Sequence, residues 1–297
     1  MIENKSMMSR VRVTITYIIV LLLTLLCLFP LWNVVCISFS DAAEVMANHV
    51  YLTPVKFTTK AYSQILEDAQ FWRSFCFSIL RVVCGLAINL FMIVFLAFPL
   101  SKTKEEFRGR NLCMGFFVFA MLFSGGMIPT YLTVKNLKLL NTVWALVLPG
   151  AVPVANVIMT MNFFAGIPKS LEEAAIMDGA SPLKVLLRIY LPCSKPSMAT
   201  MALFSIVGHW NDFYAGLLYM TKVEKYPVMS YIQSLQLQLS KSIEVNMDPD
   251  IMRELMAVTG KNLNAAKVVV STVPLLLVYP FLQKYLISGI VMGAVKE

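Results

Sequence analysis

Long apolar runs separated by short polar connections set the plan of this chain. Six stretches, near 14–38, 76–100, 113–131, 143–163, 198–219 and 268–290, are almost wholly apolar. Each is about 20 residues or more, enough for a helix to cross a hydrocarbon core of roughly 30 Å. The pattern predicts an all-α membrane protein with six transmembrane helices. It divides into an N-terminal segment 1–13, a spanning domain 14–290 and a tail 291–297. The first run is too long for a cleaved leader, it continues through Trp32 and further apolar residues, and no small-residue cleavage site succeeds it. Lys5, Arg10 and Arg12 precede it and predict a cytoplasmic N-terminus. Alternation then puts 101–112, 164–197 and the tail inside. It puts 39–75, 132–142 and 220–267 outside.

The inside connection from Pro168 to Pro192 breaks the apolar pattern with closely spaced charge. Ser170 and Glu173 have the spacing of a capping box, in which each side chain satisfies a free N–H at a helix start. Glu172 and Glu173 would then occupy the first turn, where the helix dipole favours acid. Gly179 ends this helix through the left-handed conformation. Ser181-Pro182 starts a second one, as N-cap and first helical residue. There Leu183, Leu186, Leu187 and Tyr190 share one face, and Lys184 and Arg188 form a basic pair. Pro192 closes the unit.

Composition sharpens this picture. Hydrophobic residues make up 58% of the chain and charged residues 14%, with a mean hydropathy of +0.71, which excludes a soluble domain. The net charge of +8 is scattered, with no basic run of the kind a nucleic-acid surface needs. Cys27, Cys36, Cys76, Cys84, Cys113 and Cys193 lie in spans, at their edges or inside; they read as small apolar residues rather than disulfides or zinc ligands. Pro30, Pro149, Pro153, Pro274 and Pro280 interrupt spans, and such breaks need neighbours to satisfy the freed backbone. They either kink the helices or shape a cavity.

Candidate chemistry is sparse. His209-Trp210-Asn211-Asp212 is the most polar cluster inside a span, and Asp212 is the acidic residue placed at membrane depth. Helical spacing sets His209 beside Asp212, and Asp212 beside Gly208 and Gly216. The cluster lines a translocation pathway or fixes the bundle by interhelical hydrogen bonds; a carboxylate at that depth needs a cavity or a partner. Arg81 either snorkels to the outer interface or pairs with an acid. The outer segment 220–267 holds an amphipathic run, Tyr231–Leu239, and acids at Asp248, Asp250 and Glu254. No Walker A loop, nucleophile elbow or HExxH helix occurs, so neither ATP binding by that route nor hydrolytic catalysis is expected. The chain reads as a non-enzyme with no catalytic residue, no metal site and no cofactor of its own.

Glu173-Ala174-Ala175, three residues, Gly179, nine residues and Ile189-x-Leu191-Pro192 reproduce, without a gap, the EAA signature of ABC-importer permeases. Further segments resemble the carbohydrate-uptake permeases of the maltose type: Ser124–Tyr131, Trp210-Asn211-Asp212, Tyr279–Tyr285 and Gly289–Lys296. The chain is most similar to the branch with aldouronate, lipoprotein/polysaccharide and alginate-oligosaccharide importers, and to the smaller, six-span partner.

The resemblance implies the ABC type I importer permease fold, with a cytoplasmic coupling-helix loop at 164–197. It implies a bacterial cytoplasmic (inner) membrane protein, multi-pass, with both termini cytoplasmic and an oligosaccharide cargo of the uronate-containing kind. Its partners would be a second homologous permease, an ABC ATPase dimer holding ATP and Mg, an extracytoplasmic sugar-binding protein and membrane lipid, but no nucleic acid. Ser170, Leu171, Glu172, Glu173, Ala174, Ala175, Asp178, Gly179 and Pro192 would couple to the ATPase. Glu173 would pair with a basic residue there, the two alanines would allow close approach, and Gly179 would allow the turn. The segment 220–267 would touch the binding protein. The alternative is an ion-coupled secondary transporter.

Overall fold

A computed structural model of the chain describes residues 7–244 and 260–294. Lys5, the acidic cluster at Asp248, Asp250 and Glu254, and the last three residues lie outside them. Among the described residues the regular structure is helical, with no strand. In chain order the helices are α1 (Met7–Ser38), α2 (Ala42–Met46), α3 (Lys60–Glu67), α4 (Ala69–Leu100), α5 (Arg110–Leu122), α6 (Met127–Asn136), α7 (Val143–Val147) and α8 (Val154–Ala165). There follow α9 (Lys169–Met177), α10 (Pro182–Val185), α11 (Leu191–Cys193), α12 (Lys195–Asn211), α13 (Tyr214–Tyr219), α14 (Val228–Glu244) and α15 (Lys261–Ala294).

The six apolar stretches fold as helix, but not as six unbroken helices. Three described helices, Val11–Ser38, Ala69–Leu100 and Lys261–Pro280, are each long and apolar enough to cross a membrane alone. Two more crossings arise if the bent pairs 110–136 and 143–165 each count as one. The first pair turns by 110° at Ser124-Gly125-Gly126, where Gly126 takes φ +88°, a left-handed backbone that favours glycine. The second bends by 51° where Pro149 and Pro153 remove backbone donors. The expected fifth span, 198–219, stops at Asn211 and resumes at Tyr214. Asp212 turns extended there (φ −73°, ψ 95°), and its carboxylate accepts from Ala215 N–H at 3.1 Å.

Packing divides the chain into two compact units, Met1–Ala69 with Leu235–Thr272, and Gln70–Ser234 with Val273–Glu297. In the first, residues 11–32 of α1 are exposed on every side, as a lipid-solvated helix requires. Its far end is tied down: Trp32 Nε1 donates to Leu52 O at 2.8 Å and Asn33 Nδ2 to Tyr51 O at 2.7 Å. Phe39 stacks between Phe57 and Tyr62, and buried Lys267 pairs with Asp68 at 2.8 Å.

The second unit is built on one face of α4. Phe71, Ser74, Ser78, Arg81, Gly85, Asn89, Ile93, Ala97 and Leu100 recur at helical spacing, and every one is buried. The apolar half of this face packs with Val157, Met161 and Phe164 of α8, with Val185, Leu186 and Tyr190, and with Met201 of α12. A second cluster joins Val134, Ala145, Leu146, Tyr219 and Met220. All six cysteines are free.

Candidate functional site

The segment 168–192 folds into a short helix and a turn-rich return. Helix α9 begins at Lys169, directly after Pro168, and no side chain caps it. The expected capping box does not form. Pro168 O already accepts the Leu171 N–H at 3.2 Å, so Ser170 is the second helical residue and cannot act as N-cap. Glu172 is the acid of the first turn, and Glu173 falls beyond it. The other end follows the expectation. Gly179 takes φ +76°, its N–H reaches Ile176 O at 2.9 Å, and Ala180 N–H reaches Ala175 O at 2.9 Å. These two bonds complete a Schellman cap. Ser181 caps α10 through the Lys184 N–H at 3.4 Å.

Beyond Val185 the chain winds into a π-turn over Leu186–Tyr190. The wider turn rotates the apolar face. Val185, Leu186 and Tyr190 are buried, whereas Leu183 and Leu187, expected on the same face, are exposed. Pro192 does not close the unit, since it lies inside α11, and the chain breaks two residues later at Ser194.

The two neighbouring acids of α9 differ in fate. Glu172 turns inward, accepting from Lys102 Nζ at 2.5 Å and from Tyr190 Oη at 2.6 Å. Lys102 Nζ also donates to Tyr190 Oη at 3.1 Å and lies over the Phe98 and Tyr190 rings. Burial, then the bond to Glu172, pushes the Tyr190 hydroxyl pKa upward, so it remains a donor at any working pH. Glu173, Ala174, Asp178 and Gly179 are exposed, as are Ser170 and Leu171, while Ala175 is partly covered by the core. Nearby, Lys169 pairs with Glu106 at 3.1 Å. The Thr103 N–H first, and Lys169 second, hold the Glu106 carboxyl below its usual range.

The polar cluster of the fifth stretch forms two cross-ties to α4. Arg81 Nη1 donates to Asp212 O at 2.6 Å, and Nη2 pairs with the Asp212 carboxylate. Arg81 is therefore an ion-pair partner and not a snorkelling side chain. His209, expected beside Asp212, instead bonds Asn89 Oδ1 through Nε2 at 2.8 Å. Asn89 Nδ2 donates to Gly150 O at 2.9 Å and to Ala151 O at 3.0 Å, so its Oδ1 accepts and the proton belongs on His209 Nε2. These are carbonyls freed where prolines break the fourth stretch, satisfied by a neighbouring helix. Arg81, Asn89, His209 and Asp212 line an open cavity of about 560 Å³ with Asn156 and Tyr214. Asn211 is exposed and lies outside that lining.

Local spacing in the sequence does not point to Asn89, Lys102 or Tyr190 in these roles, because their partners are distant in the chain. The signal for Asn89 was present, since Ser74, Ser78, Arg81, Gly85 and Asn89 form a polar and small-residue stripe on one face of an apolar helix. Among the described residues no group of three or more His, Cys, Asp or Glu could hold a metal ion.

The profile of the family described as "Binding-protein-dependent transport system inner membrane component" matches residues 71–292. Protein LplC of Bacillus subtilis strain 168 is 41% identical over 269 residues, 91% of this chain and 89% of that protein. The polygalacturonan/rhamnogalacturonan transport system permease protein YtcP of the same organism is 36% identical over 290 residues, 98% of this chain and all of that protein. A chain in the crystal structure of a bacterial ABC transporter involved in the import of the acidic polysaccharide alginate superimposes with a TM-score of 0.82. It is 30% identical, covering 95% of this chain and 98% of that one.

Proposed function

The chain belongs to this family of inner membrane transport components, and from that premise we propose that it is the smaller permease of an importer for uronate-containing oligosaccharides. Permeases of this family are transport subunits of ABC importers, not enzymes, and ATP hydrolysis belongs to a separate subunit. Membership leaves the ion-coupled alternative without support.

The proposed assembly has a second homologous permease, an ATPase dimer carrying ATP and Mg, and an extracytoplasmic sugar-binding protein. This chain supplies six crossings with both termini cytoplasmic, and holds no cofactor itself. The names of YtcP and of the alginate importer support an acidic oligosaccharide as cargo. His209 and Asp212 face the cavity and are assigned to its pathway; Asn211 is not.

One observation carries the coupling assignment. The signature helix α9 stands with Glu173, Ala174, Ile176, Met177 and Asp178 exposed on its free side, while Glu172 anchors its other side. Exposed apolar and acidic residues on one short rigid helix suit a cleft in a soluble partner. Glu173 then pairs with a basic residue of the ATPase. The test is co-purification of the chain with an ATPase subunit, and hydrolysis stimulated by a binding protein charged with an alginate or galacturonate oligosaccharide. Glu173→Ala should leave membrane insertion intact and weaken assembly or stimulation. Uptake by this chain alone, driven by a proton or sodium gradient, would overturn the reading.

A further inference from the structure

We infer that Lys102, Glu172 and Tyr190 form a clamp that makes the α9 unit and helix α4 one rigid body. The inference rests on the functional reading above only for what moves the unit; the clamp itself stands on geometry. Three side chains from three separate segments close a triangle of hydrogen bonds of 2.5, 2.6 and 3.1 Å. Lys102 follows the end of α4 by two residues, Glu172 lies in α9, and Tyr190 ends the π-turn. Both charged side chains are largely shielded, at 13% and 19% exposure, where an ion pair holds its geometry better than on an open surface.

Aromatic packing extends the clamp. Tyr190 meets Phe98 of α4 and Phe164 of α8 edge-on, at 5.0 and 5.4 Å between ring centres. The tyrosine ring is thus wedged between two long helices while its hydroxyl holds the short one. Tyr190 is the last residue of the π-turn and, like Leu186 at its start, is buried. A push on α9 therefore reaches α4 through side chains, in addition to the backbone on either side of α9. Along α4 the same body carries Arg81 and Asn89, the two residues that face the cavity and grip the fourth and fifth apolar stretches. Lys102, Glu172 and Tyr190 are positioning residues, acting through α4 on the cavity.

Two spin labels test this in the full-length chain in lipid nanodiscs, after the native cysteines are replaced. One label goes at Leu183→Cys, exposed on α10 in the same unit and away from the ATPase-facing side of α9, the other at Val83→Cys on the exposed side of α4. In the isolated chain the distance distribution should be narrow, and Lys102→Met should widen it. Tyr190→Phe, which keeps the ring packing and the fold, should widen it less. Unchanged widths in both variants would overturn the clamp. In the importer assembled with its ATPase, the wild-type distance should stay the same with and without ATP and vanadate. A shift above about 2 Å, the size of ordinary helix shifts at interfaces, would overturn it too. Failure to assemble with an ATPase would count against the functional reading alone, since the isolated-chain measurement decides the clamp without it.

Discussion

Arg81 is 1% exposed while Asp212 keeps 37% of its side chain accessible, so the two halves of this ion pair respond differently to loss of the other. Asp212→Asn leaves a buried guanidinium without its counter-charge and should cost about 3–5 kcal/mol. Arg81→Met leaves a carboxylate that the cavity can solvate, and should cost clearly less. Thermal unfolding of the two variants in one detergent checks the order. Gly85 is set by the same cluster: a Cβ there would lie 2.3 Å from His209 Nε2, so Gly85→Ala must displace the imidazole from Asn89. The expected loss is about 1–3 kcal/mol, seen in the same unfolding assay, and it should shrink in a His209→Ala background. The sequence made His209 and Asp212 visible as polar residues at membrane depth. It could not assign their partners, because Asn89 and Arg81 lie 120 and 131 positions away.

In the α9 unit, local rules succeeded where the backbone was their only input. Gly179 and Ser181 do what their residue types dictate. Ser170 does not, because Pro168 had already begun the helix. Ser170→Ala should therefore change stability by less than about 0.5 kcal/mol, while Ser181→Ala should cost about 0.5–1 kcal/mol, the low end for a cap whose bond is long. Differential scanning of the purified variants separates them. A Cβ added at Gly179 would meet no atom within 4 Å, so only the left-handed backbone resists substitution. Gly179→Val should then impair ATPase stimulation more than Gly179→Asn, since asparagine tolerates that conformation. The π-turn was not legible, since a period of 3.6 assumes an unbroken α-helix. That assumption placed Leu183 and Leu187 inside; both are exposed, Leu187 within the π-turn and Leu183 in the single turn of α10 before it.

At the scale of the whole molecule, alternation of apolar stretches sorts the connections into two groups, and contacts within the second unit follow the sorting. Segment 101–112 and segment 164–197, both assigned inside, meet through Lys102–Glu172 and Glu106–Lys169. Segments 132–142 and 220–267, both assigned outside, meet through Asn141 and Thr221 at 2.8 Å. Cysteines at Glu106 and Lys169 should accordingly be joined by a bifunctional thiol crosslinker long enough to replace the two side chains, and cysteines at Glu106 and Asn141 should not, as mobility on a denaturing gel will show. What apolar length alone could not foresee was the breakage of three stretches, because Gly125-Gly126, the paired prolines and Asp212 act through local geometry that averaging over 20 residues conceals. The cross-ties on α4 also set a timetable for biosynthesis. Arg81 enters the membrane when the partner that neutralises it is still 131 residues from being made. A lone arginine in a membrane span is costly, up to about 2.5–3.5 kcal/mol at the helix centre, so α4 is favoured to stay beside water or the insertion machinery until Asp212 arrives. A chain that stalls before Asp212 keeps that arginine unmatched, so an unfinished bundle differs from a finished one by an uncompensated charge in its second span.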